Sequence, residues 1–184
     1  MLKIYKVLFL LIFLSFGQTS NAHVEHYDKL KIIEFDIYRN NKHIGSHIFS
    51  FNRNGDELTV ESKIKFEIKK LGVVLYKYEA DGVEVFRDGA LIKFNSNTNQ
   101  NKKVKYVNIK LENNKYIIDG SSYKGNAPLE YMVGTWWNHS IVKAPAQISA
   151  ISGRIIEQKV NFLGKKKVIF GNKSFDTLHF NFSK

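Results

Sequence analysis

The chain has 184 residues, no cysteine, 14% aromatic residues and a formal charge of +11. That length suits one domain with a sizeable core, and a chain without cysteine excludes a disulfide-stapled scaffold. The charge comes from 24 Lys and only 4 Arg, spread among many Asn and Ile. This composition points to codon bias rather than to a nucleic-acid reader, because arginine is the better ligand for phosphates and base edges.

The first residues read as an address. Lys3 and Lys6 precede an apolar run, Val7 to Phe16, and Ser20 and Ala22 supply small residues at a cleavage site. This is the pattern of a secretory signal peptide over residues 1–22. The apolar run is far shorter than the roughly 20 residues a membrane-spanning helix needs. Cleavage after Ala22 leaves 162 residues, 23–184, as a single antiparallel β domain carrying +9. Export without disulfides points to a bacterial periplasm.

Alternation then sets in. Ile33, Phe35 and Ile37 alternate with Glu34, Asp36 and Tyr38, and Asn40-Asn41 turns the chain into a returning strand. Asn54-Gly55 predicts a type I′ hairpin turn. Ile64, Phe66 and Ile68 alternate with four charged residues, as in a sheet with one buried and one wet face. After Leu71-Gly72, Val74, Tyr76 and Tyr78 share a face. Asp81-Gly82 and Asp88-Gly89 read as turn chemistry. Asn113-Asn114 joins two more strands.

The rhythm breaks between Ser121 and Ala150, where both prolines and both tryptophans lie. In G-T-W-W-N-H, Thr135 is placed to cap a short helix with Trp137 and Ile141 one turn apart. Strands resume after Ser152-Gly153, first as Arg154 to Phe162, with turns at Leu163-Gly164 and Gly171-Asn172. The fold expected is all-β with one short helix: about ten antiparallel strands in a strongly curved meander sheet or open barrel.

Signals for chemistry are few. No nucleophile elbow, dinucleotide fingerprint or phosphate loop occurs. His43 and His47, four apart on a strand, stand about 13 Å from each other, too far to share an ion. His47 reads instead as a polar group on a strand face with a local partner. His23, as a new amino terminus, could chelate copper together with His26 and either His139 or His179. The commoner reading is a polar start to the mature chain, so no catalytic residue, metal or cofactor is assigned.

Aromatic residues are the real excess. They fill a core or line a groove for an apolar ligand. A large sheet with one apolar face must cover that face, and one short helix is little to cover it with. The candidate ligand contacts are Trp136, Trp137, Tyr76, Tyr78 and Phe86. Trp137 is expected to plug the end of the sheet and Trp136 to form a lip. Asn138 is expected to tie the backbone at that corner, with His47, Asp88 and Gly89 as further structural residues. The leading function is non-enzymatic binding of an apolar or lipid-like ligand. An envelope interaction module is the alternative, and a metal-dependent or hydrolytic enzyme is the remote one. No nucleic acid is expected as partner, anionic membrane contact is expected to be weak and peripheral, and oligomeric state is not fixed.

The motifs also occur in a telling order: F-D-I-Y-R-N-N-K-H-I-G-S-H (Phe35 to His47), Y-K-Y-E, E-V-F-R-D-G-A-L, S-N-T-N (ending at Asn99), Trp137-Asn138, S-G-R-I and F-D-T-L-H-F. Together they resemble an exported bacterial family known only as a domain of unknown function. The resemblance implies an all-β sheet or barrel similar to envelope lipid carriers, and no established activity. The family pattern runs on past F-D-T-L-H-F into W-Y-D and further strand. This chain stops at Lys184, as a short version or a truncated reading frame, which would leave its last strand an open edge.

Overall fold

The computed structural model describes residue 27 and residues 29–183. Residues 1–22, expected to be a signal peptide, and His23 and His26 lie outside the described residues. The fold is all-β, built around an eight-stranded antiparallel sheet in simple meander order. Its strands are β1 (Ile32–Arg39), β2 (Lys42–Asn54), β3 (Glu57–Lys70), β4 (Val73–Arg87), β5 (Ala90–Gln100), β6 (Lys103–Glu112), β7 (Lys115–Gly120) and β8 (Lys124–Ala127). Among the described residues the sheet does not close: β1 and β8 are its two edges. It is the open meander of the two expected forms, and bulges at Ile37/Tyr38, Ile68/Lys69 and Val85/Phe86 add local bend and twist.

Alternation decides which face is buried. Directly paired residues share a face, so the register defines rungs across the sheet. One rung runs Phe51, Val60, Glu84, Phe94, Ile109, Ile118. The neighbouring rung runs Phe49, Ser62, Gly82, Ser96, Val107, Gly120. These rungs carry the core, in which Phe49, Val60, Phe94, Val107, Ile109 and Ile118 are fully buried.

The core is covered by the stretch whose rhythm breaks. It contains β9 (Met132–Val133), a 3-10 helix (His139–Lys143), β10 (Ala146–Ile148) and β11 (Ile155–Glu157). β10 pairs with β11 antiparallel and with β9 parallel, the one parallel pairing among the described strands. Val133, Trp137, Ile141, Ala146 and Ile148 are buried. The serine hydroxyl of Ser96 donates to the Ala150 carbonyl and ties this cover to the sheet. A separate hairpin follows, β12 (Lys159–Phe170) with β13 (Lys173–Ser183).

Four local expectations are corrected. The helix begins at His139, past Trp137, so it is capped by Asn138 rather than Thr135: Asn138 Oδ1 accepts from the Ser140 N–H at 2.9 Å, while the Thr135 side chain bonds Glu84. Leu163-Gly164 is a bulge inside β12 rather than a turn, with Gly164 at φ 113. Asp81-Gly82 sits mid-strand in β4, where the bare glycine leaves room for the Ser62 hydroxyl, 2.7 Å from where a Cβ would stand. The β2–β3 turn is centred on Gly55-Asp56, and only Gly55 has positive φ, the pattern of a II′ rather than I′ turn. In addition, the stretch from Arg154 to Phe162 is not one strand. Gln158 separates β11 from β12 and donates its side-chain amide to the carbonyls of Ile141 and Ala144, closing the end of the helix.

Candidate functional site

The two tryptophans go opposite ways. Trp136 adopts φ 69, a left-handed conformation that is costly for a bulky residue. Its ring is 58% exposed and meets Phe182 edge-on at 5.0 Å. Trp137 points inward and is 5% exposed. Its ring stands edge-to-face with Tyr27 at 5.3 Å, Phe51 at 5.3 Å and Phe86 at 5.7 Å. Such geometry sets the positive edge of one ring against the negative face of another.

Trp137 Nε1 donates to Glu84 Oε1 at 2.6 Å. Glu84 is buried in the middle of the Phe51–Ile118 rung. Burial pushes its carboxyl from 4.5 up to about 7, against the opposing hydrogen bonds from Trp137 and Thr135. Tyr116, buried close by, has its phenol raised first by burial and then by the Glu84 charge. This polar cluster pins the cover to the sheet.

Beyond the cover the core face continues. The next rung reads His47, Ile64, Ala80, Thr98, Lys105, and the one after it Gly45, Phe66, Tyr78, Gln100, Lys103. A cleft of about 300 Å³ opens where the cover ends, lined by His47, Ile64, Tyr78, Thr98, Trp136 and Ile151, among others. His47 is wedged at 4.2 Å from the Phe49 ring and 6.5 Å from the Phe35 ring, and burial lowers its pKa. Thr98 Oγ1 is buried without a well-formed hydrogen bond, although the Tyr78 phenol is near enough to interact with it. Phe66 stacks on Tyr78 at 5.1 Å and on Tyr76 at 5.8 Å. Gln100 bridges the outer end, donating to the Tyr76 hydroxyl at 2.7 Å and accepting from Lys105 Nζ at 3.1 Å. A larger hollow of about 700 Å³ beside Lys42, Lys65 and Lys69 is a wide surface concavity at the end of the sheet. The smaller cleft is the better candidate because it brings aromatic side chains of the core face, Tyr78 and Phe94, together with Trp136 of the cover over the buried Thr98 side chain.

Of the residues singled out in the sequence, the cleft brings together His47, Tyr78 and Trp136. Tyr76 lies on the aromatic stripe beyond it. Trp137 and Phe86 are in the core and do not line it. Asp88 and Gly89 form the β4–β5 turn, with φ of 49° and 76°. Sequence reasoning missed Glu84, Phe66 and Thr98. The signal was present: counting by twos from Tyr78 places Glu84 on the buried face, and counting by twos from Phe94 does the same for Thr98. Among the described residues no group of three or more His, Asp or Glu could hold a metal.

No curated protein and no solved structure matches the chain. The family model described as "Domain of unknown function (DUF6134)" matches residues 35–184. That span takes in every motif on which the sequence resemblance rested, and the chain belongs to this family of the domain of unknown function.

Proposed function

We propose that this protein is an exported, periplasmic, non-enzymatic binder of an apolar or lipid-like ligand, held in the cleft beside Trp136. One observation carries the reading: the apolar face of the sheet runs on past its cover. Phe35 is exposed there, and Phe66, Ile68 and Tyr76 are only partly buried. An apolar stripe of this kind on a soluble domain marks a surface that something else completes. The cleft at its inner end offers aromatic walls with the Thr98 hydroxyl buried beneath them, and the hydrogen-bonded Tyr76–Gln100–Lys105 chain lies at its outer end. This arrangement suits an amphipathic molecule with its tail toward Trp136 and an anionic or polar head toward Lys105.

Native mass spectrometry of the purified protein, with titration of a fluorescent fatty acid, tests the proposal. A co-purifying lipid-like mass, and binding weakened at least tenfold by Trp136→Ala and by Thr98→Val, is the expected result. A protein that arrives empty and takes up no fatty acid would sink it. The free edge of β1, with Ile32 and Phe35 exposed, favours a second reading as an envelope interaction module that adds a partner strand.

A further inference from the structure

The hairpin β12–β13 stands apart from the rest of the molecule. Among the described residues its strands pair with each other and with no other strand. The ring contact joining it to the domain is Phe182 on Trp136. A two-stranded hairpin is marginal in water on its own, and this one leaves its apolar residues outside. Ile169 is 77% exposed and Phe170 80% exposed, with Val168 and Phe175 exposed beside them.

The pairing register sorts these residues. Val168 lies opposite Phe175 and Phe170 opposite Lys173, so the three apolar side chains share one face at the tip. Ile169 occupies the other face. Just behind the tip come three consecutive lysines, Lys165, Lys166 and Lys167, with Lys173 on the returning strand. Asp176 is the one acidic residue in either strand. Some lysines of the main sheet are paired: Lys65 and Lys77 with Glu79, Lys69 with Glu67, and Lys124 with Asp119. None of the four hairpin lysines forms an ion pair among the described residues. The hairpin thus combines an apolar end with a belt of positive charge that one acidic residue, Asp176 opposite Lys167, only partly offsets.

We infer that the β12–β13 tip is an anchor for an anionic lipid surface, with Val168, Ile169, Phe170 and Phe175 entering the headgroup layer and Lys165, Lys166, Lys167 and Lys173 engaging lipid phosphates. The dimensions agree. Three residues of strand carry Phe170 about 10 Å beyond Lys167, and interfacial elements bury their apolar side by roughly 5–10 Å. A protruding tip suits a fluid surface better than the flat patch a protein partner requires. Charge selects the occupant: a second copy would bring the same lysines and repel, whereas an anionic headgroup neutralises them.

Co-sedimentation of the protein, purified from the soluble fraction, with phosphatidylcholine vesicles, with and without phosphatidylglycerol, tests the inference. Binding that requires phosphatidylglycerol and weakens with salt is expected. The triple change Lys165→Gln, Lys166→Gln, Lys167→Gln should lower partitioning about 100-fold. The pair Ile169→Ser, Phe170→Ser should lower it at least tenfold. Both sets should leave the thermal melt of the main domain unchanged, and the lysine set guards against a tip change that unfolds the hairpin. Absence of phosphatidylglycerol-dependent binding overturns the proposal. So does loss of binding with Leu71→Ser at the exposed β3–β4 tip but not with the hairpin variants. So does lipid-free self-association in the ultracentrifuge that the hairpin variants abolish. The cleft ligand plays no part in this assay, so either proposal can fail alone.

Discussion

Glu84 is the residue at which the fold takes its largest electrostatic risk. It stands in a rung whose other members are Phe51, Val60, Phe94, Ile109 and Ile118, where an ionised carboxylate is poorly solvated. The Trp137 N–H and the Thr135 hydroxyl recover part of the cost, and the group settles at about 7. Its folded pKa therefore lies above the unfolded 4.5. Between these values the unfolded chain ionises while the native state keeps its proton, so stability falls as pH rises through that window. The fall is up to about 3 kcal/mol. His47 works in the opposite sense: its lowered pKa gives stability that is lost as pH drops below 6.5. Glu84→Gln should remove the first dependence and leave the second. Urea unfolding of both proteins at pH 5 and pH 8 reads the difference, with the variant gaining on the parent at pH 8. Equal offsets at the two pH values would show that Glu84 is ionised in both states.

At the scale of elements, hairpins were legible because their turns are written in a few residues. Asn40-Asn41, Asp88-Gly89 and Asn113-Asn114 have positive φ at both positions, a conformation that Asn, Asp and Gly adopt at little cost, and Leu71-Gly72 adopts it with Gly72 as its only favourable residue. The same residues misled where the neighbouring strand outvoted them. Asp81-Gly82 stays extended because β3 and β5 pair with it on both sides. Leu163-Gly164 becomes a bulge because β13 continues opposite. Gly45 marks a different demand, close approach. A Cβ there would stand 2.0 Å from the Lys65 carbonyl oxygen and 2.6 Å from Phe66 Cα. Gly45→Ala should force β2 and β3 apart at the open half of the sheet and cost about 1–3 kcal/mol. The midpoint of denaturant unfolding measures this, and an unchanged midpoint would mean that the ladder shifts freely at that point.

The whole molecule divides into a sheet half under cover, a sheet half that is open, and a hairpin outside both. Stability should follow that division, since it tracks buried contact rather than strand content. In native-state hydrogen exchange, amides of Val60, Phe94, Val107 and Ile109 should be the slowest, because their strands are flanked on both sides and their side chains are fully buried. Amides of β12 and β13 should exchange far faster despite their regular pairing. Equal protection in the hairpin and the central strands would show that the hairpin is docked in solution.

By itself the sequence determined most of the strands, most of the turns and the family. Each depends on local alternation or on the φ preference of two adjacent residues, information that short stretches carry. It also marked His47, Tyr78 and Trp136 as residues of interest. Only the tertiary structure decided that these three line one cleft, that Phe86 turns into the core beside Trp137, and that Glu84 joins them there. Those outcomes depend on register summed across strands and on where the irregular stretch around residues 128–153 comes to rest. Neither is encoded in any one segment, because a rung is a property of six strands aligned at once.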